Sequence, residues 1–280
     1  MVRKLLLASL FVAFGAVIAP AASAQDSDWS GLYVGVGAGY SFKADDETVV
    51  FDTDRDGAFD DTVFTSGGAN AFAPGFCNGA AMGPSPADGC RSGDGSIKLS
   101  LRAGYDLQFG NWVIGAVADY GAVNLGDDVT AFSSTPASYT FTRDLNALTS
   151  LRARGGWAGK SGLLYATAGM AWGDMDQSFT TTNTTNSFTP SEDSEIDGYQ
   201  VGLGYEVKLG DVWLVGSGWS MGLEYIWTSL DDGDYPVAVG PGTAPATNPF
   251  LIVNPTGTDM MRTKDLFEYS TVGLTLNWRP

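Results

Sequence analysis

An acidic segment at positions 52–61 has the residue spacing of a calcium-binding loop. Asp52, Asp54, Asp56 and Asp60 fall on the first, third, fifth and ninth positions of such a loop, and Gly57 falls on the sixth. Alternate carboxylates converge on one ion in this spacing, while the glycine permits the sharp turn. The twelfth position is Val63 instead of a bidentate acid, so Asp60 or Asp61 would have to compensate. The spacing predicts a calcium site at Asp52, Asp54, Asp56 and Asp60, and the alternative is a solvated acidic turn closed by Asp56-Gly57.

The composition excludes several other kinds of chemistry. The chain has no histidine, 15 Lys+Arg, 32 Asp+Glu and a formal net charge of −17. Without histidine it cannot form a Ser-His-Asp triad, a Cys-His pair or a His-ligated zinc or iron site. The negative balance argues against a nucleic-acid partner, since such binding depends on Lys and Arg at the phosphates. Charged residues make up only 17% of the chain, which is low for a cytosolic enzyme.

Positions 1–24 have the pattern of a secretion signal. Two basic residues precede a nearly unbroken apolar run over 5–19, and small residues precede a cleavage point after Ala24. The run is shorter than the ~20 apolar residues of a membrane-spanning helix. We therefore predict a cleaved signal peptide and a mature domain over 25–280, with a retained N-terminal anchor as the alternative.

Cys77 and Cys90 are the two cysteines of the chain, and they lie within one predicted loop. An exported protein folds in an oxidising compartment, where two nearby thiols pair. We predict a Cys77–Cys90 disulfide. The alternative is two free thiols, because two cysteines cannot form a four-ligand metal site.

The acidic segment and the cysteines lie in a connection between predicted strands, and each of these strands has one apolar and one polar face. The clearest is 96–109, where every odd position from Ile97 to Phe109 is apolar and the even positions are polar or small. Its length suits the about nine to eleven residues of a tilted membrane strand better than the about five to six of a soluble one. Eight strands are predicted, at about 30–43, 96–109, 112–125, 147–158, 162–174, 195–209, 217–230 and 266–279.

The connections between these strands alternate between short and long. Short ones fall near 110–111, 159–161 and 210–216, and the predicted long ones are 44–95, 126–146, 175–194 and 231–265. Short turns on one rim and long loops on the other are typical of an outer-membrane barrel. The sequence predicts an all-β fold, an eight-stranded antiparallel up-and-down transmembrane β-barrel with long extracellular loops. A soluble lipocalin-type barrel with apolar residues inward is the alternative.

Aromatic residues near the strand ends and charged residues on the polar face follow from the same alternation. The predicted girdle near the long loops consists of Tyr40, Phe42, Tyr120, Trp172, Tyr225 and Trp227. The predicted inward-facing charges are Lys98, Arg102, Asp106, Asp119, Arg152, Arg154, Glu206, Lys208 and Glu224. An eight-stranded barrel is just wide enough for side chains to fill it. We predict an ion-pair network that fills the lumen, with a gated, narrow ion path as the alternative.

The opening of the mature chain resembles a known family. Positions 28–35 read Asp-Trp-Ser-Gly-Leu-Tyr-Val-Gly, and Gly37-Ala38-Gly39-Tyr40 follows. This segment is similar to the start of the small outer-membrane β-barrel proteins of Gram-negative bacteria, often called porin-family or OmpA-type barrel proteins. The resemblance implies an outer-membrane location, both termini in the periplasm, and contact with outer-membrane lipid and the assembly machinery. It brings no catalytic residues.

One feature departs from the family pattern. Members usually end in an aromatic residue that the assembly machinery recognises, whereas this sequence reads Trp278-Arg279-Pro280. Trp278 is expected to serve in that role from the third-last position.

The expected function is non-enzymatic, with a contribution to envelope integrity and surface presentation, and calcium is the one candidate cofactor. A narrow porin or channel for small solutes is the alternative. An outer-membrane protease, deacylase or lipase is disfavoured because barrels of that kind generally use histidine. The sequence identifies no surface partner.

Overall fold

The computed structural model describes residues 28–43, 47–91, 93, 95–191, 196–210 and 217–280. The predicted signal peptide lies outside these residues. Within them, no helix has the length and apolar character needed to cross a membrane.

Long antiparallel strands form the main sheet. They are β1 Gly31–Phe42, β6 Ser96–Phe109, β7 Trp112–Ser133, β8 Ala137–Gly159, β9 Gly162–Thr181, β11 Ile196–Lys208, β12 Trp219–Asp231 and β15 Leu266–Trp278. Short strands lie in the connections, at β2 Val49–Asp52, β3 Gly75–Cys77, β4 Ala80–Ala81, β5 Cys90–Arg91, β10 Ser187–Pro190, β13 Val237–Gly240 and β14 Thr258–Arg262. Single 3₁₀ turns occupy Pro86–Asp88 and Pro249–Leu251.

The long strands close into a barrel. Their order around the sheet is β1, β6, β7, β8, β9, β11, β12 and β15, and β15 pairs with β1 from Val34↔Trp278 to Phe42↔Ser270. Each long strand therefore hydrogen-bonds to a neighbour on both sides. Full closure removes the free strand edges that would otherwise need covering. The predicted eight-stranded antiparallel barrel is confirmed.

The outer face of the barrel is apolar, as a lipid-facing surface requires. Exposed aliphatic side chains on it include Leu99, Leu101, Ile114, Leu151, Leu164, Leu203 and Leu274. Exposed aromatic side chains near the short turns are Phe109, Trp112, Trp157 and Trp278. Exposed members of the predicted girdle at the opposite end are Tyr40, Tyr120, Trp172 and Tyr225. This distribution, with aromatic belts on either side of an aliphatic band, is that of a membrane barrel and not of a lipocalin.

The second predicted long loop, 126–146, is instead mostly strand. β7 continues to Ser133 and β8 begins at Ala137, so only the turn 134–136 joins them. The register between β7 and β8 shifts at Ala122/Leu125, and that between β8 and β9 shifts at Leu145/Ala147. A β-bulge moves the following side chains to the opposite face. The alternation seen in the sequence is interrupted there although the strands continue.

A second sheet packs on the extended ends of β7, β8 and β9. Its order is β10, β13, β14 and β2, so it combines segments from three different connections. We call these extended ends and the second sheet the head. The head core consists of Val49, Phe51, Val63, Ala71, Phe72, Val129, Ala131, Ala137, Tyr139, Phe141, Tyr235, Val237, Val239, Phe250 and Met260. The long connections thus form a packed unit with its own apolar core.

Candidate functional site in the barrel lumen

Ion pairs close the lumen at the end with the short turns. Arg279 donates from Nη1 to Glu206 Oε1 and from Nη2 to Asp106 Oδ2, each over 2.9 Å. Arg154 donates to Glu206 Oε2, and its guanidinium lies 3.9 Å from the ring centroid of Tyr165. Asp106 and Glu206 are completely buried. Two arginines therefore neutralise two carboxylates that have no access to water.

Trp29 covers this turn-end cluster. Its side chain is 2% exposed, and the Arg279 guanidinium lies 5.0 Å from its ring centroid. Lys208 Nζ lies 5.2 Å from the same ring. Lys208 faces inward as its strand position requires, but it is exposed at the mouth and does not enter the buried network. Trp29 acts as a plug between the ion pairs and the turn-end solvent.

A second cluster of charges spans the middle of the lumen. Arg102 on β6 donates to Asp119 Oδ1 over 2.9 Å and to Glu224 over 3.0 and 2.8 Å. Arg152 donates to the other oxygen of Asp119, and Tyr165 donates its hydroxyl proton to Glu224 over 2.7 Å. Strands β6 and β12 are separated by β1 and β15, so the Arg102–Glu224 pair crosses the interior. Lys98 lies in the same cluster and is 8% exposed.

The structure buries eight of the nine charged residues predicted to face inward. They are Lys98, Arg102, Asp106, Asp119, Arg152, Arg154, Glu206 and Glu224. Regular pairing keeps the period of two through these strands, so alternate residues share the inner face. Arg279, which follows the last strand, is the turn-end cation that sequence reasoning missed. Its position directly after the alternating stretch ending at Trp278 was the available signal.

An apolar layer lies between the middle cluster and the head. It consists of Val123, Leu125, Leu145, Leu148, Ala171, Met175, Ile196, Leu230, Phe267 and Tyr269. All the side chains of this layer are at most 7% exposed. The lumen is therefore closed again by tightly packed apolar groups.

A third ionic cluster joins the top of the barrel to the head. Arg143 donates to Glu47 Oε1 over 2.6 Å, to Asp127 over 2.8 Å and to Asp232 over 3.0 Å. Arg262 donates from Nε to Glu47 Oε2 over 2.8 Å. Sequence reasoning missed this head-junction cluster because its members lie in the predicted connections. Arg143 lies on β8, but the bulge in this strand interrupts the alternation that would have identified its position as part of a strand.

The head-junction cluster keeps its carboxylates charged. Burial alone raises the pKa of Glu47, but attraction to Arg143 and Arg262 outweighs it and the net pKa is lowered. The pKa of Asp127 is lowered for the same reason, because Arg262, Arg143 and Lys43 overcome its burial. Lys43 Nζ lies 2.7 Å from Glu47 Oε1. Both carboxylates are ionised in the folded protein at neutral pH.

Strand β8 passes through every layer in turn. From the turn end it contributes Arg154 and Arg152 to the two lower clusters, Leu145 to the apolar layer, Arg143 to the head junction and Phe141 to the head core. The layers are thus stacked along the barrel axis.

The acidic segment in the first connection only partly matches the predicted ligand set. Carboxylate oxygens of Asp52, Asp54 and Asp61 lie within 4.8 Å of one another. Asp56 turns away to accept the Ala58 amide over 2.8 Å, and Asp60 is not part of the group. Asp61 takes the place predicted for Asp60.

Hydrogen bonds and packing fix the shape of this acidic loop. The amides of Arg55 and Gly57 donate to the carboxylate of Asp52 over 2.6 and 2.9 Å. Val63 at the twelfth position is 1% exposed and packs in the head core. Val63 therefore anchors this end of the loop in the head core and supplies no metal ligand.

The predicted disulfide is present. Cys77 and Cys90 are bonded, with their Cα atoms 6.6 Å apart. Cys77 belongs to β3, which pairs with β7 at Cys77↔Thr130. The bond therefore ties the segment around Cys90 to the wall of the head.

Comparisons with known proteins identify the family of this chain. The family model described as outer membrane protein beta-barrel domain matches residues 9–279. The 31 kDa outer-membrane immunogenic protein of Brucella melitensis biotype 1 is 25% identical over 218 residues, which is 76% of either chain. OprG from Pseudomonas aeruginosa superposes with a TM-score of 0.46 at 11% identity, over 90% of this chain and 97% of that one. The protease OmpT from Escherichia coli superposes with a TM-score of 0.40 at 9% identity, over 89% and 96%. The chain therefore belongs to the outer membrane protein beta-barrel family, and its barrel lies in the outer membrane.

Proposed function

We propose that this protein is a closed, non-enzymatic barrel that supports the integrity of the outer membrane and presents a rigid head at the cell surface. The observation that carries the proposal is the filling of the lumen from end to end. Trp29, the turn-end ion pairs, the middle cluster and the apolar layer follow one another along the axis. In a barrel filled in this way, the interior stabilises the fold, and the function lies at the surfaces that face the membrane and the cell exterior.

The narrow channel is the competing function, and the middle cluster argues against it. Arg102 connects Asp119 on one wall with Glu224 on the other through a single guanidinium. The cavity beside these groups is small, about 30 Å³, and has room for only a few water molecules. A solute would have to break buried ion pairs and separate the apolar layer to pass. Such a path is costly, because a charge left unpaired in the interior is strongly unfavourable.

Surface presentation is supported by the packing of the head. Its sheet covers a continuous aromatic core, in which Phe72 lies 4.3 Å from Phe51 and 5.5 Å from Tyr139 between ring centroids. The head-junction cluster then fixes this unit to the barrel rim through Arg143 and Arg262. A head held at a fixed orientation offers a constant surface to other molecules. The absence of histidine from the sequence favours a binding or structural role over hydrolysis.

We also propose that the acidic loop binds calcium through Asp52, Asp54 and Asp61. The close approach of these three carboxylates supports this ligand set. Local desolvation raises the pKa of Asp54, and repulsion from neighbouring acids raises it further; a divalent cation would relieve that repulsion. Calcium is expected to increase protection of 52–61 from hydrogen exchange in the wild type and not in Asp54→Asn. Asp174→Asn, a change at an exposed acid on β9, is the control and should respond like the wild type.

The envelope role is tested in cells that lack the gene. Such cells are expected to become sensitive to detergents and large antibiotics, and to keep normal uptake of small hydrophilic solutes. Complementation with wild type should restore resistance. Loss of small-solute uptake with unchanged detergent resistance would favour the channel instead.

A further inference from the structure

One buried cation of the lumen stands outside the ion pairs. Lys98 on β6 is 8% exposed, and it forms no hydrogen bond or ion pair with another residue in the part of the chain that the structure describes. Its neighbour on the same face, Arg102, already holds both nearby carboxylates at 2.8 to 3.0 Å. Burying an unpaired ammonium is costly unless something solvates or neutralises it.

The charges of the three clusters identify the same residue. The turn-end cluster is balanced, with Arg154 and Arg279 against Asp106 and Glu206. In the head-junction cluster, the ion pairs seen among the described residues also match three cations with three anions, Lys43, Arg143 and Arg262 with Glu47, Asp127 and Asp232. The middle cluster has three cations against two anions, namely Lys98, Arg102 and Arg152 against Asp119 and Glu224. Its one excess positive charge is that of Lys98.

Lys98 lines a small internal cavity of about 30 Å³. The space exists because the adjoining part of the wall lacks side chains, since Gly39 pairs with Lys98 on one side and with Gly273 on the other. Thr275 lines the same cavity, and its buried hydroxyl has no hydrogen-bond partner in the described part of the chain. An ammonium and a hydroxyl that both lack a partner among the described residues therefore border one small space.

We propose that this cavity binds one monovalent anion of the size of chloride, held by the Lys98 ammonium and the Thr275 hydroxyl. One such charge cancels the excess of the middle cluster. The small volume has room for a monatomic anion beside Lys98. Asp119 and Glu224 also border the cavity, but Arg102 and Arg152 already neutralise them. The anion is a structural counter-ion of the barrel interior, and this inference goes beyond the proposed envelope role.

The test is refolding and thermal unfolding in different sodium salts. Full-length protein is refolded from urea in sodium chloride, bromide or gluconate at equal ionic strength, and its unfolding midpoint is read from the heat-dependent gel shift. The wild-type midpoint is expected to be several degrees higher in chloride or bromide than in gluconate. It should also rise with the logarithm of halide concentration, as for any ligand that binds only the folded state.

Lys98→Met removes the charge and nearly keeps the length of the side chain. Its midpoint is expected to be the same in all three salts and higher than that of the wild type in gluconate, because no buried charge is left unpaired. Lys160→Met, at an exposed lysine in a short turn, is the matched control and should keep the wild-type halide response. If Lys98→Met does not fold, Thr275→Val is used in its place, and its halide response should be weaker than that of the wild type.

Equal wild-type midpoints in chloride and gluconate would overturn the proposal, as would a full halide response in Lys98→Met or Thr275→Val. Crystals grown in bromide give a direct second readout. An anomalous peak beside Lys98 Nζ supports the site, and its absence in well-ordered crystals counts against it.

Discussion

Arg102 and Glu224 face each other across the barrel interior and form two parallel hydrogen bonds, with Nη1–Oε1 at 3.0 Å and Nη2–Oε2 at 2.8 Å. Such a bidentate pair fixes both side chains more firmly than one contact does. It also joins strands that are not neighbours in the sheet. The pair therefore stabilises the barrel wall and obstructs the lumen.

Removing one partner of this pair should be strongly destabilising. Arg102→Met leaves the buried carboxylates of Asp119 and Glu224 without the arginine charge that neutralises them. The expected loss is about 3–5 kcal/mol of unfolding free energy. Asp259→Asn is the control. The side chains of the Arg55–Asp259 pair are 27% and 29% exposed, so breaking this pair should cost at most about 1 kcal/mol. Urea unfolding in lipid vesicles, followed by tryptophan fluorescence, measures both. Equal losses in the two variants would contradict the assignment.

Arg279 should matter for the turn-end closure although it lies beyond the last strand. Arg279→Ala removes two ion pairs and uncovers Trp29, so the heat-shift midpoint is expected to fall by an amount equivalent to about 3 kcal/mol. Arg279→Lys should recover only part of the loss, because lysine keeps the charge but not the planar fork. A midpoint for Arg279→Ala equal to that of the wild type would show that this closure contributes nothing to the thermal stability of the barrel.

Acid should loosen the head before it opens the barrel. The pKa of Glu47 and that of Asp127 are lowered in the folded state, so their contribution is complete above the ordinary carboxyl pKa of about 4 and is lost as the pH falls below it. Asp232 acts in the opposite direction, because burial outweighs Arg143 and raises its pKa. The hydrogen-exchange protection factors in β2 and β14, corrected for the intrinsic rate at each pH, should therefore fall below about pH 4. The Glu47→Gln variant should already exchange fast at neutral pH, and unchanged protection in the wild type across this range would be inconsistent with the cluster.

Loss of the disulfide should affect the first connection alone. The bond joins residues 13 apart, and a loop of about 15 residues gains roughly 3 kcal/mol from such a link. Reduction, or Cys90→Ser, is expected to speed proteolysis within 78–89 and to leave the barrel heat shift unchanged. A drop of the barrel midpoint after reduction would mean that the segment supports the wall as well.

The barrel was predictable from the sequence because its strands keep a period of two. Residues such as Arg102, Arg152 and Glu224 follow regular pairing, so their inward direction can be read from their neighbours. Lys208 shares that direction but lies at the mouth, and alternation alone does not report depth along the axis.

The head was not predictable in the same way. Bulges near Asn124 and Asn146 interrupt the pattern, so Arg143 stood in an apparent loop. Arg143 shares Glu47 with Arg262, and these last two residues come from connections more than 200 residues apart, so only the folded chain brings them together. The alternation of Tyr139 and Phe141 with threonines was the one local signal of a continuing strand. The acidic loop shows the same limit, because the spacing predicted Asp60 as a ligand whereas the folded loop brings Asp61 to Asp52 and Asp54.

The closed lumen is tested most directly by single-channel recording of purified protein in planar bilayers. A closed lumen predicts no discrete conductance steps for the wild type, because ion pairs and the apolar layer fill the interior. Discrete steps in the wild type that change size in Arg102→Ala or Glu224→Ala would contradict it, and would identify the middle cluster as part of a conducting path.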